Sequence, residues 1–210
     1  LVRPQAPRGP GHPHQPASVY NALIHPLAPA PLRGVLWYQG ESNTAAPATY
    51  KQLMETLITD WRKEFLYDFP FYYVQIAPWN GYGEDSGVLI REQQTHMLQI
   101  PKTGMVVVSD LVDDIKDIHP QFKQPVGERL ANVALGDNYG KSNVVYKSPV
   151  YKSMKLEKNK IRLYFENVPT SLISKGGTLT DFEIAGADQK FYPALAKIEG
   201  NTVVVYAKEV

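Results

Sequence analysis

The fold prediction for this chain starts from the segment Gly34-Val35-Leu36-Trp37-Tyr38-Gln39-Gly40-Glu41-Ser42-Asn43. Its first half is an apolar run that predicts a buried strand, and its second half is a polar turn at the carboxyl end of that strand. Ligands of open α/β sheets bind just beyond the carboxyl ends of the strands. Spacing alone favours a simpler interpretation, a polar turn in which Ser42 or Asn43 caps the helix that follows.

Two further apolar runs, residues 70–78 and 104–108, predict strands of the same kind. Helical periodicity, with apolar residues at steps of three and four, is found in the segments 44–65, 88–99 and 124–138. Apolar strands that alternate with helices indicate a parallel sheet with right-handed crossovers. The predicted fold class is therefore α/β, and residues 1–142 are expected to form this domain.

From residue 143 onward the pattern changes to short strand-like runs, and turn residues separate them. The runs are 151–156, 161–165, 178–184, 192–198 and 202–206. Lys158-Asn159 and Gly200-Asn201 are typical of hairpin turns. We therefore expect residues 143–210 to form a small antiparallel β module, with the boundary between residues 141 and 149.

Composition excludes several classes of partner and site. A formal net charge of +1 and the lack of any Lys/Arg run argue against a nucleic-acid partner. No apolar run has the length of a membrane span, so no membrane association is predicted. Cysteine is absent, which excludes disulfides, thiolate metal sites and a cysteine nucleophile. His12 and His14 offer too few converging ligands for a metal site, and no cofactor is predicted.

Two separated motifs carry a family resemblance. The first is Trp37-Tyr38-Gln39-Gly40-Glu41-Ser42-Asn43, and the second is Asp117-Ile118-His119-Pro120 followed by Val126-Gly127-Glu128-Arg129-Leu130. Both resemble motifs of the sialate O-acetylesterases, a branch of the SGNH (GDSL-like) hydrolases. The resemblance implies an SGNH-like, flavodoxin-like parallel sheet, an O-acetylated carbohydrate as substrate, and a secreted or periplasmic protein. It leaves the oligomeric state open.

Ester hydrolysis of this kind needs a serine nucleophile, a histidine base, an acid that orients the histidine, and donors for the oxyanion. The resemblance makes His119 the base. Many SGNH enzymes carry an aspartate three residues before this histidine, where this chain has Lys116. The resemblance therefore leaves Asp117 and Glu41 as alternatives for the acid. Asp117 is slightly preferred, although the glutamate of a similar Gln-Gly-Glu motif has this role in the related family 6 carbohydrate esterases.

The same resemblance gives Gln39 or Asn43 as the side-chain donor to the oxyanion, with the Gly40 N–H as a possible addition. None of the serines stands in a Gly-Asp-Ser, Gly-Gln-Ser or G-x-S-x-G context. We therefore expect this sequence to be the C-terminal portion of a longer carbohydrate acetylesterase that uses a Ser-His-acid mechanism, and to be inactive by itself. The alternatives are an acetylxylan-esterase-type enzyme and a non-catalytic carbohydrate-binding or scaffold protein.

Overall fold

The computed structural model of the protein describes residues 9, 12, 15–83, 85–174 and 176–210. It consists of two compact units, the first ending at Tyr146 and the second running from Lys147 to Val210. Most of the segment 1–17, which its composition predicts to be an extended loop or a flexible arm, lies outside the described residues, and so does His14. In the described part of the chain no helix has the length and apolar character needed to cross a membrane.

The first unit is built on a three-stranded parallel sheet. Its strands are β1 (Val35–Trp37), β2 (Phe71–Val74) and β3 (Thr103–Val106), in the order β1-β2-β3. The register places Leu36 opposite Tyr72 and Tyr72 opposite Gly104. The predicted parallel sheet is therefore confirmed, with the second apolar run at its centre.

Three helices accompany this sheet. They are α1 (Tyr50–Glu64), α2 (Ser86–His96), which continues into a 3₁₀ turn at Met97–Gln99, and α3 (Lys123–Val133), which continues into a π-helical turn at Ala134–Asn138. A further π-helical turn (Tyr20–Ile24) and a 3₁₀ turn (His25–Leu27) precede β1. Another short 3₁₀ turn (Ser109–Leu111) follows β3.

The first helix begins later than its periodicity predicts. Two 3₁₀ turns, Glu41–Ala45 and Pro47–Thr49, lie between β1 and α1. The break falls at Ala46, whose φ of −147° and ψ of 60° lie outside the helical region, because the residue before a proline is pushed out of that region. The N-cap positions of the two turns and of α1 are Gly40, Ala46 and Thr49, and none forms a side-chain cap. The capping interpretation of Ser42 and Asn43 is therefore wrong.

The core of the first unit has two layers, one on each face of the sheet. Successive residues of a strand point to opposite faces, so β2 sends Phe71 and Tyr73 to one side and Tyr72 and Val74 to the other. Phe71 and Tyr73 pack with buried residues of α1 and α2. Tyr72 and Val74 pack with buried residues of α3. Both faces of the central strand are thus covered, as a parallel sheet requires.

The second unit is a five-stranded antiparallel sheet. Its strands are β4 (Val150–Glu157), β5 (Lys160–Glu166), β6 (Leu179–Ala185), β7 (Phe191–Glu199) and β8 (Thr202–Tyr206), in the order β4-β5-β8-β7-β6. Lys158 and Gly200 have positive φ in the two predicted hairpin turns. The predicted antiparallel module is confirmed, with Ile184, Val203 and Val205 in its core.

Leu66, which follows α1, gives a test of backbone strain. Its φ is +52° and the residue is 91% exposed. The left-handed conformation costs a residue with a Cβ roughly 1–2 kcal/mol. Glycine avoids that cost but loses more entropy on folding, so Leu66→Gly should raise the free energy of unfolding by a net ~0.5 kcal/mol.

Urea unfolding followed by tryptophan fluorescence measures this change, because all three tryptophans lie in the first unit. Leu53 is the matched control, since it is also exposed but lies in the interior of α1. Leu53→Gly should lower the free energy of unfolding by about 1 kcal/mol. Equal losses in the two variants would show that the conformation at Leu66 is not strained.

Candidate active site

The turn that follows β1 is held by hydrogen bonds from two helices. The hydroxyl of Tyr50, in α1, donates to the Gln39 carbonyl at 2.9 Å. Gln94 Nε2, in α2, donates to the same carbonyl at 3.3 Å and to the Val74 carbonyl at 3.4 Å. Gln94 Oε1 accepts from the Ile76 N–H at 2.9 Å. One buried side-chain amide therefore links the carboxyl ends of β1 and β2.

Gly40 occupies a position that only glycine fits. Its φ is +149°, and an added Cβ would lie 2.9 Å from Ile76 Cγ2 and 3.1 Å from Gln94 Nε2. The Gly40 carbonyl accepts from the Asn43 N–H at 2.9 Å. Its own N–H donates to no other group in the described part of the chain. A backbone N–H without a partner at the carboxyl edge of a sheet is suited to bind a developing negative charge.

The side chains of Gln39 and Asn43 are bonded to each other. Gln39 Nε2 donates to Asn43 Oδ1 at 2.7 Å. The two residues that the sequence left as alternatives therefore act as one unit. This bond occupies one hydrogen of Gln39, whereas it uses only the oxygen of Asn43. The hydrogens of Asn43 Nδ2 are left for another acceptor.

Glu41 lies close to the phenols of Tyr38, which is half-buried, and Tyr82, which is buried. Burial raises the pKa of Tyr38, and the negative charge of Glu41 raises it further. Burial and then Glu41 also raise the pKa of Tyr82 to about 12. Neither hydroxyl has a hydrogen-bond partner among the described residues. At neutral pH both phenols therefore keep their protons, and each can donate to a carboxylate that moves within reach.

His119 lies at the end of the long loop after β3, and its side chain is 86% exposed. Its Nδ1 is 3.8 Å from Asp117 Oδ1, which is longer than a hydrogen bond. The same oxygen accepts from the His119 backbone N–H at 2.8 Å. Asp117 therefore shapes the turn that presents the imidazole. No hydrogen bond or ion pair within the described residues joins His119 to Glu41, and the choice of orienting acid stays a prediction.

Backbone atoms anchor this loop to the neighbouring one. Trp79 Nε1, after β2, donates to the Lys116 carbonyl at 3.0 Å. The Asn80 N–H donates to the Ile115 carbonyl at 2.9 Å. Ile118 packs against the same core layer as α1 and α2. The loop that ends at His119 is thus tied to the carboxyl edge of the sheet, the edge at which the Gln39-Gly40 turn leaves β1.

The second half of the second motif has a structural role that spacing did not reveal. Arg129, in α3, donates to Asp110 Oδ1 at 2.7 Å and to Asp110 Oδ2 at 2.6 Å, and it also donates to the Val107 carbonyl. The Asp110 carboxylate raises the pKa of the Arg129 guanidinium. This paired contact fixes α3 to the end of β3, from which the His119 loop starts.

Sequence analysis did not predict three residues that support the candidate site. Tyr50, Gln94 and Trp79 each donate a side-chain hydrogen bond to a backbone carbonyl, and none of them belongs to a recognisable motif. One signal existed for Gln94, since it interrupts an apolar stripe that includes Ile90 and Met97. A polar residue in such a stripe is buried and needs partners. The described part of the chain contains no cluster of His, Asp or Glu that could hold a metal ion.

Comparison with known proteins identifies the family of this chain. Residues 12–136 match the family model described as carbohydrate esterase, sialic acid-specific acetylesterase. The sialate O-acetylesterase of Mus musculus is 36% identical over 161 residues, which cover 66% of this chain and 29% of that protein. The Homo sapiens sialate O-acetylesterase is 34% identical over 164 residues, covering 69% and 31%.

A solved structure is similar over nearly the whole chain. It is the crystal structure of a carbohydrate acetylesterase from Xanthomonas citri, with a TM-score of 0.85 and 38% sequence identity. The match covers 93% of this chain and 47% of that one. The chain therefore spans less than a third of these two curated relatives and less than half of the solved enzyme.

Proposed function

The chain belongs to the sialic acid-specific acetylesterase family of carbohydrate esterases, and from this premise we propose that it is the histidine-bearing portion of an enzyme that removes O-acetyl groups from carbohydrates. The observation that carries the proposal is the arrangement at the carboxyl edge of the sheet. The Gly40 N–H has no partner in the described part of the chain, and the loop that ends at His119 is anchored at this same edge. An oxyanion donor and a general base are the two parts of an esterase that such an edge can supply.

In the proposed reaction, the nucleophilic serine comes from sequence outside these 210 residues. His119 takes the proton of the serine hydroxyl while the serine oxygen attacks the acetyl carbonyl carbon. The carbonyl oxygen becomes an oxyanion, which accepts hydrogen bonds from the Gly40 N–H and from Asn43 Nδ2. Collapse of the intermediate breaks the bond to the sugar oxygen, and His119 gives that oxygen its proton. Water then attacks the acetyl-serine by the same route and releases acetate.

Asp117 is the acid that we propose to orient the imidazole. Its carboxylate is already held beside the ring by the His119 backbone N–H, and its Oδ1 lies 3.8 Å from Nδ1. A small rotation of the imidazole, whose side chain is largely exposed, would close this gap. Glu41 remains the second candidate, and the phenols of Tyr38 and Tyr82 would then hold its carboxylate.

The proposed substrate is an O-acetylated sialic acid, since the relatives named above are sialate O-acetylesterases. An acetylated xylan is the alternative, because the solved enzyme is described only as a carbohydrate acetylesterase. By the same resemblance we propose a secreted or periplasmic location.

Hydrolysis of p-nitrophenyl acetate tests the proposal. The 210-residue chain should turn over this ester barely above background, because loss of a member of the catalytic triad commonly costs roughly 10⁴–10⁶-fold in turnover. A longer protein that includes the upstream sequence should be active, and serine-directed inhibitors should block it.

Two outcomes would contradict this prediction. Robust turnover by the 210-residue chain, insensitive to serine-directed inhibitors, would exclude a serine supplied from elsewhere. A folded longer protein without activity on acetylated sialic acid, acetylated xylan or the activated ester would instead favour a non-catalytic carbohydrate-binding role.

A further inference from the structure

The direction of the Gly40 N–H is set by the peptide unit to which it belongs. The Gln39 carbonyl and the Gly40 N–H lie in one rigid plane and, in the trans form, point in opposite directions. In the described part of the chain no cis peptide bond occurs. Any group that fixes the backbone carbonyl oxygen of Gln39 therefore also fixes the direction of the Gly40 N–H, which points away from that group.

Two side chains donate hydrogen bonds to the backbone carbonyl oxygen of Gln39. Tyr50 donates its hydroxyl at 2.9 Å and Gln94 donates Nε2 at 3.3 Å. Both residues lie in the core layer beneath the turn, and their side chains are almost fully buried. The Gly40 N–H must therefore point away from this layer.

Gln94 is itself locked in place. Its exposure is 0%, its Oε1 accepts from the Ile76 N–H, and its backbone carbonyl accepts from the Tyr73 hydroxyl at 2.6 Å. Turning the amide would leave buried donors and acceptors unpaired, which is strongly unfavourable. The fixed orientation of the Gln94 side-chain amide thus also fixes the orientation of the Gln39–Gly40 peptide unit.

We propose that Gln94 is a positioning residue of the esterase, which aims the Gly40 N–H at the oxyanion by holding the Gln39 carbonyl, with Tyr50 as the second anchor. The catalytic part of this inference rests on the function proposed above. The structural part, which concerns the orientation of the Gln39–Gly40 peptide unit, does not depend on that function.

Gln94→Met tests the inference, since methionine has a similar length and shape but neither donates nor accepts through an amide. In the longer enzyme we expect kcat for p-nitrophenyl acetate to fall by roughly 10–100-fold, because an oxyanion donor that is lost outright costs roughly 10²–10³-fold. KM should stay within about threefold, because the lost interaction forms only in the transition state.

Gln75→Met is the matched control. Gln75 also makes side-chain hydrogen bonds to α2, through the Arg91 carbonyl and Thr95 Oγ1, but none to Gln39. We expect its kcat to stay within about threefold of wild type, since its bonds do not involve the oxyanion donors. Similar losses of kcat in the two variants would overturn the inference, because the effect would then follow from any loosening of α2.

A second measurement does not depend on activity. In ¹H–¹⁵N spectra of the 210-residue chain, the Gly40 amide resonance should move in Gln94→Met and stay in place in Gln75→Met. An unmoved Gly40 resonance would overturn the positioning role. If the wild-type longer enzyme lacks activity, the proposed function fails while the spectra still test the peptide unit.

Tyr50→Phe covers the case in which Gln94→Met does not fold. It removes only the hydroxyl that donates to the same carbonyl. The Gly40 resonance should again move, and kcat should fall by roughly 3–10-fold, because one of the two anchors remains. A Tyr50→Phe enzyme with an unmoved resonance and wild-type kcat would overturn the inference.

Discussion

Replacing His119 by alanine in the longer enzyme should lower kcat by roughly 10⁴–10⁶-fold, the loss that follows removal of the base from a serine triad. Without the imidazole no group takes the serine proton, so the nucleophile is not activated. KM should change little, because the imidazole accepts the serine proton only as the transition state forms. Steady-state hydrolysis of p-nitrophenyl acetate and of an O-acetylated sialic acid measures both constants.

Stability should separate this effect from unfolding. The His119 side chain is 86% exposed, so its removal should change the free energy of unfolding by no more than about 0.5 kcal/mol. His96→Ala is the matched control, since His96 is also exposed and lies in the last turn of α2 with no role in the proposed chemistry. Wild-type turnover in His119→Ala would show that another residue is the base.

Gly40→Ala should be the most damaging single change for stability in the turn after β1. The φ of +149° is unfavourable for alanine by about 1–3 kcal/mol. Overpacking of the new methyl group against Ile76 Cγ2 and Gln94 Nε2 adds about 1–3 kcal/mol. We expect the free energy of unfolding to fall by ~2–4 kcal/mol, since partial relaxation shares the two costs.

Gly127→Ala is the control for this change. Gly127 lies inside α3, and an added Cβ there would meet nothing within 4 Å. Alanine is the better helix former, so this variant should gain about 0.5–1 kcal/mol. Urea unfolding monitored by tryptophan fluorescence measures both variants. Equal stability of Gly40→Ala and wild type would mean that the turn is not packed as the structure shows.

The sheet could be predicted because each of its strands is a short apolar run that can be recognised in the local sequence. The apolar runs around Leu36, Tyr72 and Met105 are strands whose crossovers contain helices, and that pattern predicts parallel pairing. The prediction that β1 is buried is wrong, since Leu36 in this edge strand is 61% exposed. The start of α1 could not be placed in the same way. Periodicity continues through Ala46, but Pro47 forces that residue out of the helix, and a local steric rule overrides the pattern.

Candidate site residues could be chosen from the sequence only where a motif marks them. The resemblance singles out His119 and Gly40, whereas Gln94 reaches Gln39 from a position 55 residues further along the chain. No spacing rule predicts a contact that tertiary packing creates. Asp117 shows a second limit, because a carboxylate two residues before a histidine can bond to its backbone or to its ring. Here it bonds to the backbone.

The way the His119 loop is anchored bears on which substitutions it tolerates. Trp79 and Asn80 hold the loop through the carbonyl oxygens of Lys116 and Ile115, and every amino acid offers that oxygen. Ile115 is 54% exposed, and the hydrogen bond that it accepts from the Asn80 N–H goes to its backbone carbonyl. We therefore expect substitutions at positions 115 and 116 to leave the loop in place. Lysine at position 116 is thus compatible with the position of the loop, and we expect a mutational library at positions 115 and 116 to leave that position unchanged.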